Sequence, residues 1–170
     1  IKYNKLLVKR YKDNNYPKPY PNSYYYVCDS NDIKKNEFKE FHILNLDIIV
    51  FRNSKGQISI LDLYCPHLGT NLAEGGKIVN NCIECPYHKW SFDVNGKCTN
   101  IPYTKREIPI RANNKKYYSY EKHGMIFIWY HSNNESPYLN DKFINIELFN
   151  NLDNKHKLIT RHNYVDFHMH

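Results

Sequence analysis

Cys65-Pro66-His67 and, after the interval 68–84, Cys85-Pro86-Tyr87-His88 each set a soft thiolate and an imidazole within one short segment. Each pair offers one sulfur and one nitrogen ligand, and each carries a proline, which favours a loop over a regular element. Two cysteines and two histidines suit two kinds of metal centre. One is a [2Fe–2S] cluster in which two cysteines hold one iron and two histidines the other, a substitution that raises the reduction potential above that of an all-cysteine cluster. The other is a tetrahedral structural zinc site. Zinc fingers typically pair Cys with Cys and His with His. Here each knuckle mixes the two, which suits a dinuclear centre that sorts its ligands by metal ion. A zinc-stabilised binding module remains the rival reading.

Two finger-like loops meeting tip to tip need rigid strands behind them, and the pattern supplies short ones. Segments 24–27, 38–43, 46–51 and 57–62 have β character, and Asn53-Ser54-Lys55-Gly56 marks a hairpin because Asn and Gly tolerate positive φ. The first loop is expected over 64–76. A hairpin over 77–84, turning at Asn80-Asn81, leads into the second loop at 85–89. A strand at 90–93 turns through 94–97 into Cys98 and Thr99, and strands 116–121 and 125–131 are joined at Lys122-His123-Gly124. No long segment carries a 3.6-residue apolar rhythm, so an all-β, small antiparallel domain is expected over 23–131. Residues 1–22, with Pro17, Pro19 and Pro21, read as an extended lead-in. Residues 132–170 read as a Ser- and Asn-rich linker followed by a piece too short for its own core.

The 170 residues, 41% hydrophobic and 15% aromatic, are enough for one domain and the start of another. The net charge of +7 is spread over Lys34, Lys35, Lys55, Lys97, Lys115 and Lys116 with no basic stripe interleaved by stacking aromatics. Nucleic acid is therefore not the expected partner, whereas an acidic redox protein stays compatible with the charge. Five cysteines, an odd number at irregular spacing, argue for metal binding in a reducing compartment, with Cys28, Cys82 and Cys98 as small buried hydrophobes. No apolar run approaches the 18 or so residues of a membrane span, and the chain opens on Ile1 without a signal-peptide pattern.

The longer string around the loops resembles the Rieske domain family. Its parts are 64–73 (Tyr-Cys-Pro-His-Leu-Gly-Thr-Asn-Leu-Ala), Gly75-Gly76, 82–93 (Cys-Ile-Glu-Cys-Pro-Tyr-His-Lys-Trp-Ser-Phe-Asp), Gly96-Lys97-Cys98 and Ile101-Pro102-Tyr103. Within that family it is similar to the branch of cholesterol 7-desaturases and 3-ketosteroid 9α-hydroxylases, over roughly residues 17–131. The resemblance implies that Cys65, His67, Cys85 and His88 are the cluster ligands, both metal-binding and cofactor-binding, and that no residue of this stretch is catalytic. Rieske proteins of respiratory complexes carry a disulfide cysteine in each loop, at the positions of Thr70 and Tyr87, and cluster-facing Ser and Tyr hydroxyls where this chain has Trp90 and Phe92. Fewer hydrogen bonds to the sulfurs imply a potential toward the low end of the Rieske range, roughly −150 mV. Lys89 stands where the family usually has Gly; an ordinary α or β conformation is expected there, with a cation near the cluster as the functional alternative.

The resemblance further implies an oxygenase fed by NAD(P)H through a reductase or ferredoxin, acting on a sterol, with a mononuclear Fe(II) in a second, α+β catalytic domain. It also implies a head-to-tail trimer in which His88 approaches an acidic residue of the neighbouring subunit. The intact protein is then expected on the cytoplasmic side, with endoplasmic reticulum membrane association through an upstream segment. The second domain's iron signature, Asp-x2-His-x4-His, does not occur in the sequence, so residues after 137 read as the beginning of a truncated catalytic domain. Asp166, His168 and His170 alternate with period two, which sets them ~7 Å apart and disfavours one shared ion. His42, His123, His131, His156 and His162 have no ligand-like spacing and are expected at surfaces or turns. Tyr24, Tyr25, Tyr26, Tyr117, Tyr118 and Tyr120 are expected to pack cross-strand as one face. A free-standing Rieske ferredoxin is the alternative function.

Overall fold

The computed structural model describes residues 20–138. The chain divides into two units after Tyr138, and the readings made for 1–19 and 139–170 (the lead-in, the catalytic-domain start, Asp166, His168, His170, His156 and His162) lie outside the described residues.

Eleven short antiparallel strands form three sheets. They are β1 (Ser23–Asp29), β2 (Glu37–Ile43), β3 (Leu46–Arg52), β4 (Ile58–Asp62), β5 (Lys77–Val79), β6 (Cys82–Glu84), β7 (Ser91–Phe92), β8 (Cys98–Asn100), β9 (Lys116–Tyr117), β10 (Ser119–Lys122) and β11 (Met125–Tyr130). The sheet orders are β1-β11-β10, β2-β3-β4-β9 and β5-β6-β7-β8. Two single-turn 3-10 segments are the helical content of the described residues. The expected all-β domain is the one observed.

The four-residue apolar run Ile48-Ile49-Val50-Phe51 of β3 is fully buried, because each face of its sheet meets a different core. Ile48 and Val50 join Ile60, Tyr117, Ile126, Ile128 and Val27 in one core. Ile49 and Phe51 join Leu61, Leu63, Leu72, Ile83 and Phe92 in the other, which also takes in Cys65 and Cys85. The middle sheet is thus the platform on which the paired loops are seated.

Local residue choice fixes the strand connections. Leu44-Asn45 (φ 56° and 57°) and Asn80-Asn81 (φ 49° and 66°) form two-residue turns with both residues left-handed, the geometry whose twist matches a hairpin. Asn53-x-x-Gly56-Gln57 and Asp93-x-x-Gly96-Lys97 are two copies of one turn. In each, the carboxamide or carboxylate oxygen accepts the amide four residues on at 3.0 Å, and the glycine N–H closes on the first residue's carbonyl.

Two expectations are revised. The segment 116–121 is two strands: β9 pairs with β4, the chain leaves that sheet at Tyr118, and β10 pairs with β11. The break arises because Tyr117 is buried in the second core with its hydroxyl donating to Asp62 at 3.4 Å, while Tyr118 is exposed and its hydroxyl meets that of Ser136 at 2.9 Å. The tyrosines therefore do not form one face. Tyr24 packs on Trp129 and Tyr120, and Tyr26 on Phe127. Tyr25, one residue out of phase, meets Tyr130 from the opposite side of the sheet.

Arg52 joins the sheets. Its guanidinium donates to the carbonyls of Ile33 (2.8 Å), Gly56 (3.0 Å) and Ser30 (3.2 Å) and makes a bidentate pair with Glu121 on β10 (2.6 and 3.0 Å). Partial burial pulls the Glu121 carboxyl up, but the hydrogen bonds and charge of the Arg52 guanidinium outweigh it and hold the group below its ordinary 4.5. A carboxyl with a lowered folded-state pKa adds stability above about pH 4.5, and that contribution fades as the pH falls through the lower folded value. Arg52→Ala is expected to cost roughly 2–3 kcal/mol at pH 7, since it strands three carbonyls and a carboxylate. The deficit should narrow on acidification, as read by urea unfolding across pH.

Candidate metal centre

The two loops are built on one plan. In the first, the Cys65 N–H donates to the Thr70 carbonyl (2.9 Å) and the Gly69 N–H returns to the Cys65 carbonyl (2.9 Å). In the second, the Cys85 N–H donates to the Trp90 carbonyl (2.8 Å) and the Lys89 N–H returns to the Cys85 carbonyl (3.2 Å). Each loop is thus closed on its own cysteine, with the fourth residue after it in the left-handed region: Gly69 at φ 70° and Lys89 at φ 61°. The ordinary conformation expected for Lys89 is corrected by this observation. A lysine there costs roughly 1–2 kcal/mol relative to a glycine, which has no Cβ to meet the following carbonyl.

Both loops leave the first core. Cys65 follows the buried Leu63, Cys85 follows the buried Ile83 by two residues, and the thiols are themselves 2% and 1% exposed. Burial pushes the Cys65 thiol up to about 12, and the neighbouring Cys85 thiol adds to the rise against a lowering by the His67 amide. Two thiols side by side in an apolar pocket ionise when a metal supplies the compensating charge. The imidazoles of His67 and His88 form the second pair, half-buried, their ring centroids 4.7 Å apart at 70°. Among the described residues no three His, Cys, Asp or Glu side chains are grouped around one ion position. The four are deployed as a thiol pair and an imidazole pair, a donor set that fits a dinuclear iron–sulfur cluster with different ligands on its two irons.

Aromatic neighbours hold the imidazoles. His67 stacks on Trp90 (4.5 Å, 9°), Trp90 Nε1–H donates to the Tyr103 hydroxyl at 2.5 Å, and Tyr103 stands edge-on to His88 (6.4 Å, 78°). Tyr87 lies against His88 at 4.0 Å. Phe92 is fully buried in the core and the Trp90 N–H is committed to Tyr103. Leu68 and Tyr87 are each 65% exposed beside the histidines, so the rim is apolar and open. Sequence reasoning assigned no role to Tyr103, which comes from beyond β8 and reaches the site only through the fold. It also missed the open groove of about 540 Å³ beside His67, walled by Trp90, Ile101 and Tyr103 and edged by Arg106 and Arg111.

Cys28, Cys82 and Cys98 are buried free thiols, as expected of small hydrophobes. Cys82 Sγ lies 3.4 Å from the Thr99 hydroxyl and Cys98 Sγ donates to the Asn100 carbonyl. His42 is exposed beside Asp47, and His123 occupies the β10–β11 turn at φ 52°. His131 opens a turn, its carbonyl accepting the Asn134 amide at 2.9 Å, but it does not lie at the surface. Its side chain is 6% exposed, stacked on Trp129, and its Nδ1 accepts the Asn133 and Glu135 amides, because residues 132–136 fold back over the ring.

Comparison with known proteins places this geometry. Residues 23–121 match the family model described as Rieske [2Fe-2S] domain. The chain is 41% identical over 133 residues to a cholesterol 7-desaturase of Xenopus laevis, covering 78% of this chain and 29% of that protein. It is 44% identical over 117 residues to the cholesterol 7-desaturase of Drosophila melanogaster (68% and 27%). Against the oxygenase component of 3-ketosteroid-9-alpha-monooxygenase from Rhodococcus rhodochrous it is 38% identical over 90 residues (53% and 23%). The chain therefore spans less than a third of the length of these curated relatives. Among solved structures, dicamba monooxygenase superimposes with a TM-score of 0.60 at 27% identity, over 64% of this chain and 34% of that one. The terminal oxygenase of carbazole 1,9a-dioxygenase from Nocardioides aromaticivorans, at 18% identity and a TM-score of 0.63 over 71% and 33%, shares the fold. With the match running from β1 into β10 and through both paired loops, the chain belongs to the Rieske [2Fe-2S] domain family.

Proposed function

We propose that this chain is the electron-entry portion of a non-haem iron oxygenase acting on a sterol, with Cys65 and Cys85 holding one iron of the cluster and His67 and His88 the other. The observation that carries the ligand assignment is the pairing itself: two loops with the same hydrogen-bonded closure bring thiols together inside and imidazoles together at the rim. When bound, the cluster supplies a one-electron relay. The chain's own residues do the rest. Leu63, Leu72 and Ile83 keep water from the thiols, Trp90 and Tyr103 orient the imidazoles, and exposed Leu68 and Tyr87 leave the imidazole edge open to a partner.

The sterol assignment rests on the relatives' names, cholesterol 7-desaturase and 3-ketosteroid-9-alpha-monooxygenase, and on identities of 38–44% to the three. A ferredoxin or an NAD(P)H-dependent reductase is the proposed donor; one solved relative is a reduced complex between oxygenase and ferredoxin in carbazole 1,9a-dioxygenase. The mononuclear iron belongs in this proposal to a second domain, and one dicamba monooxygenase structure carries non-heme iron with dicamba. The homotrimer and the membrane-associated cytoplasmic location are part of the same proposal. No helix among the described residues is long and apolar enough to cross a membrane.

The experiment is to extend the transcript past His170 and express the whole reading frame with a reductase, NADPH and cholesterol. The reading frame is expected to continue into Asp-x2-His-x4-His, and mass spectrometry should show a sterol lighter by two hydrogens. A frame that stops without that signature favours the free-standing ferredoxin. Protein-film voltammetry should place the couple near the low end of the Rieske range, about −150 mV; a value near +300 mV would mark a quinol-oxidising cluster instead.

A further inference from the structure

We propose that Lys89 is held in a strained backbone conformation in order to place a counter-charge for Glu84 beside the cluster, and that this pair tunes the reduction potential. The inference rests on the ligand assignment above. The two loops provide an internal comparison: the same closing position, four residues after the cysteine, is glycine in one loop and lysine in the other, both left-handed. Glycine meets that geometry without penalty, so a lysine there needs a reason beyond the turn.

Its side chain supplies one. Lys89 Nζ lies 3.7 Å from Glu84 Oε1, and the Glu84 side chain is only 20% exposed. Glu84 directly precedes Cys85, and Lys89 directly follows His88. The pair therefore brackets the second loop, each of its residues being the sequence neighbour of a ligand. Lys77, opposite Glu84 in the β5–β6 register, is exposed, and among the described residues Glu84 makes its ion pair with Lys89.

Reduction takes one electron from the donor, breaks no bond and adds one negative charge to the cluster. A half-shielded carboxylate opposes that charge and an ammonium favours it. Lys89 thus offsets the penalty that Glu84 imposes, and does so from a position whose natural occupant by conformation is glycine.

The test is the midpoint potential of purified, cluster-loaded protein at neutral pH and low ionic strength, with iron and sulfide content as the loading control. Lys89→Met keeps the strain and loses the charge. It should weaken reduction about threefold, a shift of about 28 mV downward at 59 mV per decade for one electron. Glu84→Gln should shift the potential upward by a similar amount, and the double variant should return close to wild type; a merely structural role would not give opposite signs. Lys77→Met should shift the potential less than Lys89→Met. Lys89→Gly should lower the potential as Lys89→Met does and also raise the melting temperature, which Lys89→Met should not. Potentials within error of wild type in loaded Lys89→Met and Glu84→Gln proteins would overturn the charge assignment, and no thermal gain in Lys89→Gly would overturn the strain. Wild-type protein that takes up no iron and sulfide would instead overturn the ligand assignment beneath it.

Discussion

Cys85→Ser protein, expressed or reconstituted with iron and sulfide, is expected to emerge colourless, with cluster content lower by about tenfold or more. The substitution replaces one of two adjacent buried thiols by a hydroxyl that is a poor, hard ligand for an iron–sulfur centre, and leaves Cys65 as a lone thiol that burial still holds up. Cys82→Ser and Cys98→Ser are the controls. Both residues are buried free thiols of the same lobe, 8% and 2% exposed, yet their sulfurs face Thr99 and the Asn100 carbonyl. Those two variants should keep the wild-type iron and sulfide content even if they lose some stability. Equal loss in all three would mean that the assay reads folding of the lobe and not ligation.

The second large effect is expected at Gly76, which is unremarkable by conformation and critical by position. A Cβ there would collide with the Leu72 carbonyl oxygen and crowd the Glu84 carbonyl oxygen at 3.2 Å. Leu72 ends the first loop, its amide tied to the Leu63 carbonyl, and Glu84 leads into Cys85. Both obstacles are backbone, so the methyl of Gly76→Ala can be accommodated only by moving the Leu72 end of the first loop away from the β6 residue that leads into the second. The variant should lose about 3 kcal/mol in denaturant unfolding and much of its cluster. Gly75→Ala is the contrast: its Cβ would make an ordinary 3.5 Å contact with Pro86, and its cost is the left-handed φ of 91°, about 1 kcal/mol. Comparable losses at the two positions would show that the loops tolerate separation.

The two loops that pair the thiols and the imidazoles were readable from the chain because residue type and loop-sized spacing are local properties. The hairpins were readable for the same reason, since Asn80-Asn81 and Asn53-x-x-Gly56 declare their φ angles in their residue types. Lys89 was misread because lysine gives no hint of a left-handed backbone; the hint lay in its offset from Cys85, which repeats that of Gly69 from Cys65. Tyr103 and the groove beside His67 depend on where the chain goes after β8, which no short-range pattern encodes. The unbroken β character of 116–121 hid a change of sheet, because either partner, β4 or β11, satisfies the same alternation. His131 was expected at a surface or turn, and only the return of 132–136 buries its ring.

Mössbauer spectroscopy of anaerobically prepared, iron-57-labelled protein tests the central claim most directly. Two thiolates on one iron and two imidazoles on the other predict two inequivalent iron sites of equal area, with the nitrogen-ligated one taking the electron on reduction. A single iron environment, or protein that binds zinc and takes up neither iron nor sulfide, would contradict the account.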